Sequence, residues 1–168
     1  DFCLSRGLGD VYKRQTMDEA DLLFQLDGDA DVMKYITLGI PRTMDEVIEK
    51  SMPRILKSYQ DKSDFGIFAA YLINSDEYIG WFQFEKDKEF EDSIEIGWRL
   101  KKQYWGNGYA TEVAIVLCEL GIKMGKTIVA RAMIENLASI RVMEKAGLKF
   151  EKKFWYPHSS SPDVLYKR

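Results

Sequence analysis

The chain has 168 residues, a formal net charge of −3, 46% hydrophobic and 30% charged residues. That length suits one domain burying roughly 70% of its unfolded surface, and that charge gives no basic footprint for nucleic acid or an anionic membrane. No apolar run approaches the ~20 residues that span a bilayer, and no secretory leader is visible, so a cytoplasmic protein without membrane or nucleic-acid partners is expected.

Residues 1–15 lack an initiating Met, and Leu4 to Gln15 shows no helical or strand period. They resemble translated adapter sequence, so residues 1–15 are expected to be foreign and the domain to span 16–168. Thr16 and Glu19 then form a capping-box pattern ahead of the apolar Ala20, Leu23, Phe24 and Leu26, predicting a helix that Asp27-Gly28-Asp29 stops. Thr43 and Glu46 repeat the pattern before Val47, Ile48, Ile55 and Leu56, and Pro53 should kink or divide that second helix. Phe65 to Ile73, Tyr78 to Glu85 and Ser93 to Leu100 alternate with short polar turns and read as an antiparallel meander.

Tyr109 to Met124 is a mostly apolar helix with a polar stripe of Glu112, Glu119 and Lys123, closed by Gly125. Thr127 to Ile134 reads as a strand and Ala138 to Ala146 as a helix ended by Gly147. Leu148 to Trp155 and Val164 to Lys167 read as strands around a Pro/Ser-rich loop that carries His158, a loop histidine more simply solvated than catalytic. Trp81, Phe82, Phe84, Trp155 and Tyr156 read as core aromatics. Of the two cysteines, Cys3 and Cys118, the second falls in the apolar helix and reads as a small buried hydrophobe. With one histidine and no metal-ligand spacing, no metal site is expected.

The most informative stretch is Gln103-Tyr104-Trp105-Gly106-Asn107-Gly108-Tyr109-Ala110, set between a strand and a helix. Glycines there permit positive φ and close approach of a ligand to main chain, and a loop opening a helix offers N–H groups to one anion. A phosphate-bearing cofactor is expected. A Walker loop would need Gly-Lys-Ser/Thr, and a dinucleotide fingerprint would need a small residue where Thr111 stands; neither fits.

Gln-x-x-Gly-x-Gly opening a helix, then a strand, then Glu135-Asn136-Leu137-Ala138-Ser139, resembles the GNAT acetyltransferase superfamily. Glu95-Ile-Gly-Trp-Arg-Leu100, Tyr104-Trp-Gly-Asn-Gly-Tyr-Ala-Thr-Glu112 and Asn136-x-x-Ser-x-Arg-Val-Met-Glu-Lys-x-Gly147 are similar to its ribosomal-protein acetyltransferase (RimJ/RimL-like) branch. The resemblance covers about residues 16–168. It implies an α/β (α+β) single domain, a mixed, mostly antiparallel central sheet flanked by helices. Members usually start with a strand before the first helix; here either that edge strand is missing or Asp10 to Arg14 fills it.

The resemblance further implies acetyl-CoA as acyl donor, with no metal. Its diphosphate would rest on main-chain N–H groups of Gln103 to Gly108, with the helix dipole from Tyr109 and Ala110 helping. Its pantetheine arm would pair along Trp98-Arg99-Leu100, and Asn136 would hydrogen-bond an amide of that arm. Lys145 would add charge near a phosphate, unless it is a solvated helix residue. The acceptor that the resemblance implies is a small-molecule amine or a protein N-terminal α-amine, which would attack the thioester directly in a ternary complex, and a monomer or homodimer is expected.

Amine deprotonation needs a base, and strand alternation places Ser93, Glu95 and Arg99 on one face of their strand, with Ile94, Ile96, Trp98 and Leu100 on the other. Glu95 is the candidate; a solvated carboxylate or a partner for Arg99 is the plainer reading. Glu112, in the first turn of its helix, serves the helix dipole more simply than catalysis. Many family members place a tyrosine seven residues after the helix-opening Asn, where this chain has Met143. Ser139 is the remaining hydroxyl for the leaving thiolate, or a first-turn hydroxyl bonded to nearby main chain. Main-chain N–H groups from Trp98 to Leu100 would polarise the acetyl carbonyl. The alternative is a catalytically silent CoA-binding or regulatory module of the same fold.

Overall fold

The computed structural model of the chain describes residues 12–59, 64–73, 75–157 and 159–168. Most of the foreign-looking segment, Cys3 and His158 lie outside the described residues. Seven strands hydrogen-bond in one mixed sheet: β1 (Tyr12–Arg14), β2 (Gly66–Tyr71), β3 (Tyr78–Lys86), β4 (Ser93–Leu100), β5 (Thr127–Met133), β6 (Lys149–Phe154) and β7 (Asp163–Lys167), in the order β1-β2-β3-β4-β5-β7-β6. The chain divides into two compact units, residues 1–83 with 98–107 and residues 84–97 with 108–168.

In the first unit β1 pairs antiparallel with β2, Lys13 opposite Ala69. Tyr12 to Arg14 thus supplies the edge strand. A 3-10 turn, Met17–Glu19, opens α1 (Ala20–Asp27), and the Glu19 carboxylate accepts the Thr16 N–H at 2.7 Å. Leu23 and Leu26 are buried from this helix. Asp29 caps a short α2 (Ala30–Met33), accepting from Asp31 N at 2.8 Å. The sequence reading missed this helix because a four-residue turn carries no apolar period.

Thr43 and Glu46 cap α3 (Met44–Glu46) reciprocally, both bonds at 3.2 Å. Val47–Ser51 then widens into a π-helical turn before α4 (Met52–Lys57), with Pro53 in its first turn. Proline has no N–H to give and its ring collides with the carbonyl four residues back, so a loosened turn just ahead of it is the local solution. The division predicted at Pro53 falls at this π turn.

β3 and β4 approach very closely near Gly80. A Cβ added there would lie 2.1 Å from the Arg99 carbonyl oxygen, and φ is +147°, so only glycine fits. Lys101 N donates to Ile79 O at 2.8 Å, which fixes the chain just past the end of β4.

In the second unit β4 pairs parallel with β5, Ser93 opposite Thr127, and β5 pairs antiparallel with β7. α5 (Tyr109–Lys123) and α6 (Leu137–Lys145) pack on β5 and on each other. Val113, Ala114, Leu117 and Cys118 from α5 are buried with Ile94, Ile96, Ile128, Val129 and Met143. Burial pushes the Cys118 thiol up to about 11, as suits a small hydrophobe. Trp81, Phe82 and Phe84 are core residues, but Trp155 and Tyr156 are exposed. Lying in the turn beyond β6, they leave the sheet before any layer covers them, which corrects the core assignment made for those two. Among the described residues no helix is long and apolar enough to cross a membrane.

Candidate active site

The segment that leaves β4 is wound tightly by its own polar groups. Tyr104 N donates to Lys101 O and Trp105 N to Lys102 O, at 3.0 and 3.1 Å. The Trp105 indole Nε1–H reaches back to Leu100 O at 2.8 Å, and Asn107 Nδ2 donates to Trp105 O at 3.2 Å. Gln103 Nε2 donates to the Tyr104 hydroxyl at 3.0 Å and to Glu77 Oε1 at 3.3 Å. Tyr104 is buried, whereas Gln103, Trp105, Gly106, Asn107 and Gly108 are exposed.

Gly106 and Gly108 have φ of +78° and +88°, and an added Cβ at either would meet nothing within 4 Å. Backbone conformation, not crowding, demands glycine here, and the space before the main chain is open. Among the described residues, the N–H groups of Gly106, Asn107, Gly108 and Ala110 donate to no main-chain acceptor outside the helix. Gly108 is the N-cap of α5, which runs 15 residues, and Tyr109 and Ala110 form its first turn. Glu112 sits in that same turn, the position where a carboxylate complements the helix dipole.

Arg99, at the strand end, is not available through its side chain. Nη1 binds Asp27 Oδ1 at 2.5 Å, and the guanidinium stacks 4.9 Å from the Trp81 ring centroid. Asp27 is 1% exposed and is also approached by Arg42 Nη1 at 3.6 Å and by the Ser51 hydroxyl, which donates at 3.3 Å; Arg42 bonds Ser51 in turn. Burial draws the Arg99 pKa down, with Asp27 pulling against it. What Trp98, Arg99 and Leu100 present to a ligand is therefore main chain first.

In the second unit Glu95 is 29% exposed and accepts from Arg131 Nη1 at 3.0 Å. The partner anticipated from alternation was Arg99; the structure supplies Arg131 from β5, the neighbouring strand. Arg131, 10% exposed, also donates to Asp87 Oδ2 at 2.5 Å and Glu89 Oε2 at 3.1 Å. Burial works against its charge, but Asp87 and Glu95 outweigh that and raise its pKa. Burial likewise lifts Asp87, while Arg131 and the N–H groups of Phe90 and Glu89 more than offset it and hold the carboxyl below its ordinary range.

Asn136 is the N-cap of α6, and its Oδ1 accepts the Ser139 N–H at 3.2 Å. The Ser139 side chain is half-buried in the first turn, Met143 is buried one turn on, and Lys145 is exposed in the last turn. Asn136 thus has a structural duty that its amide Nδ2 does not share. Arg131 and Asp27 were missed as centres of ion-pair networks. A lone arginine within the apolar Thr127–Met133 strand was the available signal for the first; Asp27 looked like an ordinary helix stop.

Residues 13–149 match the family model described as an acetyltransferase (GNAT) domain. An uncharacterized N-acetyltransferase of Bacillus subtilis, YnaD, is 32% identical over 134 residues, 79% of this chain and 74% of that protein. The FsC-acetyl coenzyme A-N(2)-transacetylase of Aspergillus fumigatus is 28% identical over 157 residues, 86% of this chain but 64% of its own length, so the chain spans a little under two thirds of that fungal relative. A GNAT-family acetyltransferase structure from Bacillus anthracis superposes with a TM-score of 0.77 at 28% identity, covering 94% and 92% of the two chains. A RimL ribosomal L7/L12 α-N-protein acetyltransferase in complex with coenzyme A has the same TM-score at 15% identity, covering 96% and 95%, a likeness of fold alone. By the span of the family match and the relatives around it, the chain belongs to the acetyltransferase (GNAT) domain family.

Proposed function

We propose that the chain transfers acetyl to a weakly basic primary amine, foremost a protein N-terminal α-amine, by direct attack in a ternary complex, as a member of the RimJ/RimL-like branch working in the cytoplasm. The observation carrying this reading is the set of main-chain N–H groups of Gly106, Asn107, Gly108 and Ala110, which among the described residues donate to no main-chain acceptor outside the helix, with open space before both glycines. That donor set fits a diphosphate, whose oxygens are acceptors only.

Acetyl-CoA supplies an activated thioester carbonyl. Gln103 to Ala110 would bind its diphosphate, Lys145 would add charge beside a phosphate, and the main chain of Trp98, Arg99 and Leu100 would take the peptide-like arm. Asn136 Nδ2 would donate to an amide of that arm while Oδ1 keeps the helix capped. Glu95 is the proposed base, acting on the acceptor ammonium directly or through water, with Arg131 fixing its orientation. Ser139 would hydrogen-bond the departing thiolate through its hydroxyl, in place of the tyrosine that Met143 replaces, and the sulfur would take its proton from water.

Energetics favour the α-amine class. Deprotonating an amine of pKa ~8 at pH 7 costs about 1.4 kcal/mol, against about 4.6 for a lysine of pKa ~10.4. A single carboxylate suffices for the first. A small-molecule amine of similar basicity would serve the same chemistry. The test is calorimetry with CoA, followed by thiol-release assays with acetyl-CoA against α-amine peptides, Nε-only peptides and small amines. Fastest turnover with α-amine peptides supports the reading. Preference for strongly basic amines, or no CoA uptake by folded protein, rejects it.

A further inference from the structure

Trp105 is an odd residue to find where it is. Its side chain is 48% exposed, so burial does not account for a tryptophan there. Its one polar atom is committed instead to main chain, the Leu100 carbonyl at 2.8 Å. Asn107 repeats the pattern two residues on, its Nδ2 taking the Trp105 carbonyl at 3.2 Å. Main-chain N–H groups of Gly106 and Asn107, in the same stretch, have no main-chain acceptor among the described residues.

Side-chain donors thus occupy carbonyls while N–H groups are left over. A carbonyl oxygen turned toward an anion repels it, whereas an N–H attracts it. We infer that the side chains of Trp105 and Asn107 are positioning groups that act on the coenzyme diphosphate through the loop, holding carbonyls away so that main-chain N–H groups face it, rather than by touching the coenzyme themselves. The inference rests on the reading that this loop holds the diphosphate.

The strand end has its own anchor, since Lys101 N donates to Ile79 O at 2.8 Å. Loss of the indole N–H therefore loosens the loop and spares the main chain of Trp98 to Leu100. Phenylalanine keeps an aromatic ring while removing the donor together with the pyrrole ring that carries it. The consequence is selective for a donor that carries a diphosphate.

The experiment compares acetyl-CoA with acetyl-pantetheine, which has the thioester and amide arm but no diphosphate, in wild type, Trp105→Phe and Asn107→Ala. One lost hydrogen bond predicts a KM for acetyl-CoA raised about five- to tenfold in Trp105→Phe, with kcat within about twofold and Tm within about 2 °C. Asn107→Ala gives the same pattern more weakly, and it stands alone if the tryptophan variant folds poorly. In both variants the KM for acetyl-pantetheine stays at the wild-type value. Equal rises with both donors, or none with acetyl-CoA, overturn the inference. If wild type itself uses the two donors equally well, the diphosphate reading fails instead, a result that no variant is needed to see.

Discussion

Asp27 and Arg131 are the centres of two ion-pair hubs of opposite sign, one in each compact unit. Asp27 is a carboxylate 1% exposed and engaged by Arg99, Arg42 and Ser51. Arg131 is a guanidinium 10% exposed and engaged by Asp87, Glu89 and Glu95. The first hub takes a side chain from the marked strand end, Arg99, wholly into structure. The second holds Glu95 by one edge while leaving it 29% exposed. Burial separates the two polar side chains of β4: Arg99, the more buried, is fixed, and Glu95, the more exposed, is held by one edge and left accessible.

Breaking the first hub should do the greatest damage. Asp27→Ala strands the buried guanidinium of Arg99, and loss of one partner from such a pair costs about 3–5 kcal/mol. Urea unfolding should show that loss. A change under about 1 kcal/mol would mean that Arg99 finds solvent or another acceptor, and the contrast with Arg131 would dissolve.

The next largest effect belongs to the second hub. Glu95→Gln keeps the shape and an acceptor for Arg131 but removes the proposed base, so kcat/KM should fall about 100-fold, near 2.7 kcal/mol. The alkaline-rising limb of the pH profile should flatten while the urea midpoint stays near wild type. An unaltered profile removes Glu95 from the chemistry and makes both hubs structural.

The comparison also explains which parts of this molecule could be read in advance. Capping pairs Thr16/Glu19 and Thr43/Glu46, the meander, and the end of α5 are local, fixed by residues within a turn of one another, and the sequence reading placed them within a residue or two. The glycine loop was legible because positive φ at Gly106 and Gly108 has few other residues to choose from. The hubs were not, because Arg99 and Asp27 are 72 residues apart and Arg131 and Glu95 are 36 apart. Their pairing depends on β4 meeting α1 and β5, which no window of sequence contains. Strand alternation put Glu95 and Arg99 on one face and offered them to each other, whereas Glu95 pairs with Arg131 and Arg99 with Asp27. The π turn at Val47–Ser51 is a third case, where proline predicted a break but not its form.

A smaller effect tests the inner edge of the Arg131 hub by pH. The Asp87 carboxyl is held below its ordinary range in the folded protein, so the unfolded chain binds its proton more readily. Stability from this group is fully present above about pH 4, the unfolded carboxylate pKa, and is lost as pH falls through the lower folded value. Wild type should therefore lose urea resistance between pH 4 and 2 more steeply than Asp87→Asn. Parallel curves would show that burial cancels the pull of Arg131 and the N–H groups, leaving Asp87 without a net shift.

The smallest effect asks whether the shared duty proposed for Glu95 extends to Asn136. Its Oδ1 caps α6 at the Ser139 N–H, and aspartate caps a helix as well as asparagine. Aspartate has no amide donor, however, so Asn136→Asp separates the two roles with one atom. Stability should stay within about 0.5 kcal/mol of wild type, while the KM for acetyl-CoA rises about fivefold, the worth of one hydrogen bond near 1 kcal/mol. Asn136→Ala should lose both, lowering stability by about 1 kcal/mol with a similar rise in KM. If Asn136→Asp leaves KM untouched, the residue belongs with Arg99, a polar side chain that structure has taken entirely, and the arm of the coenzyme must find its donor elsewhere.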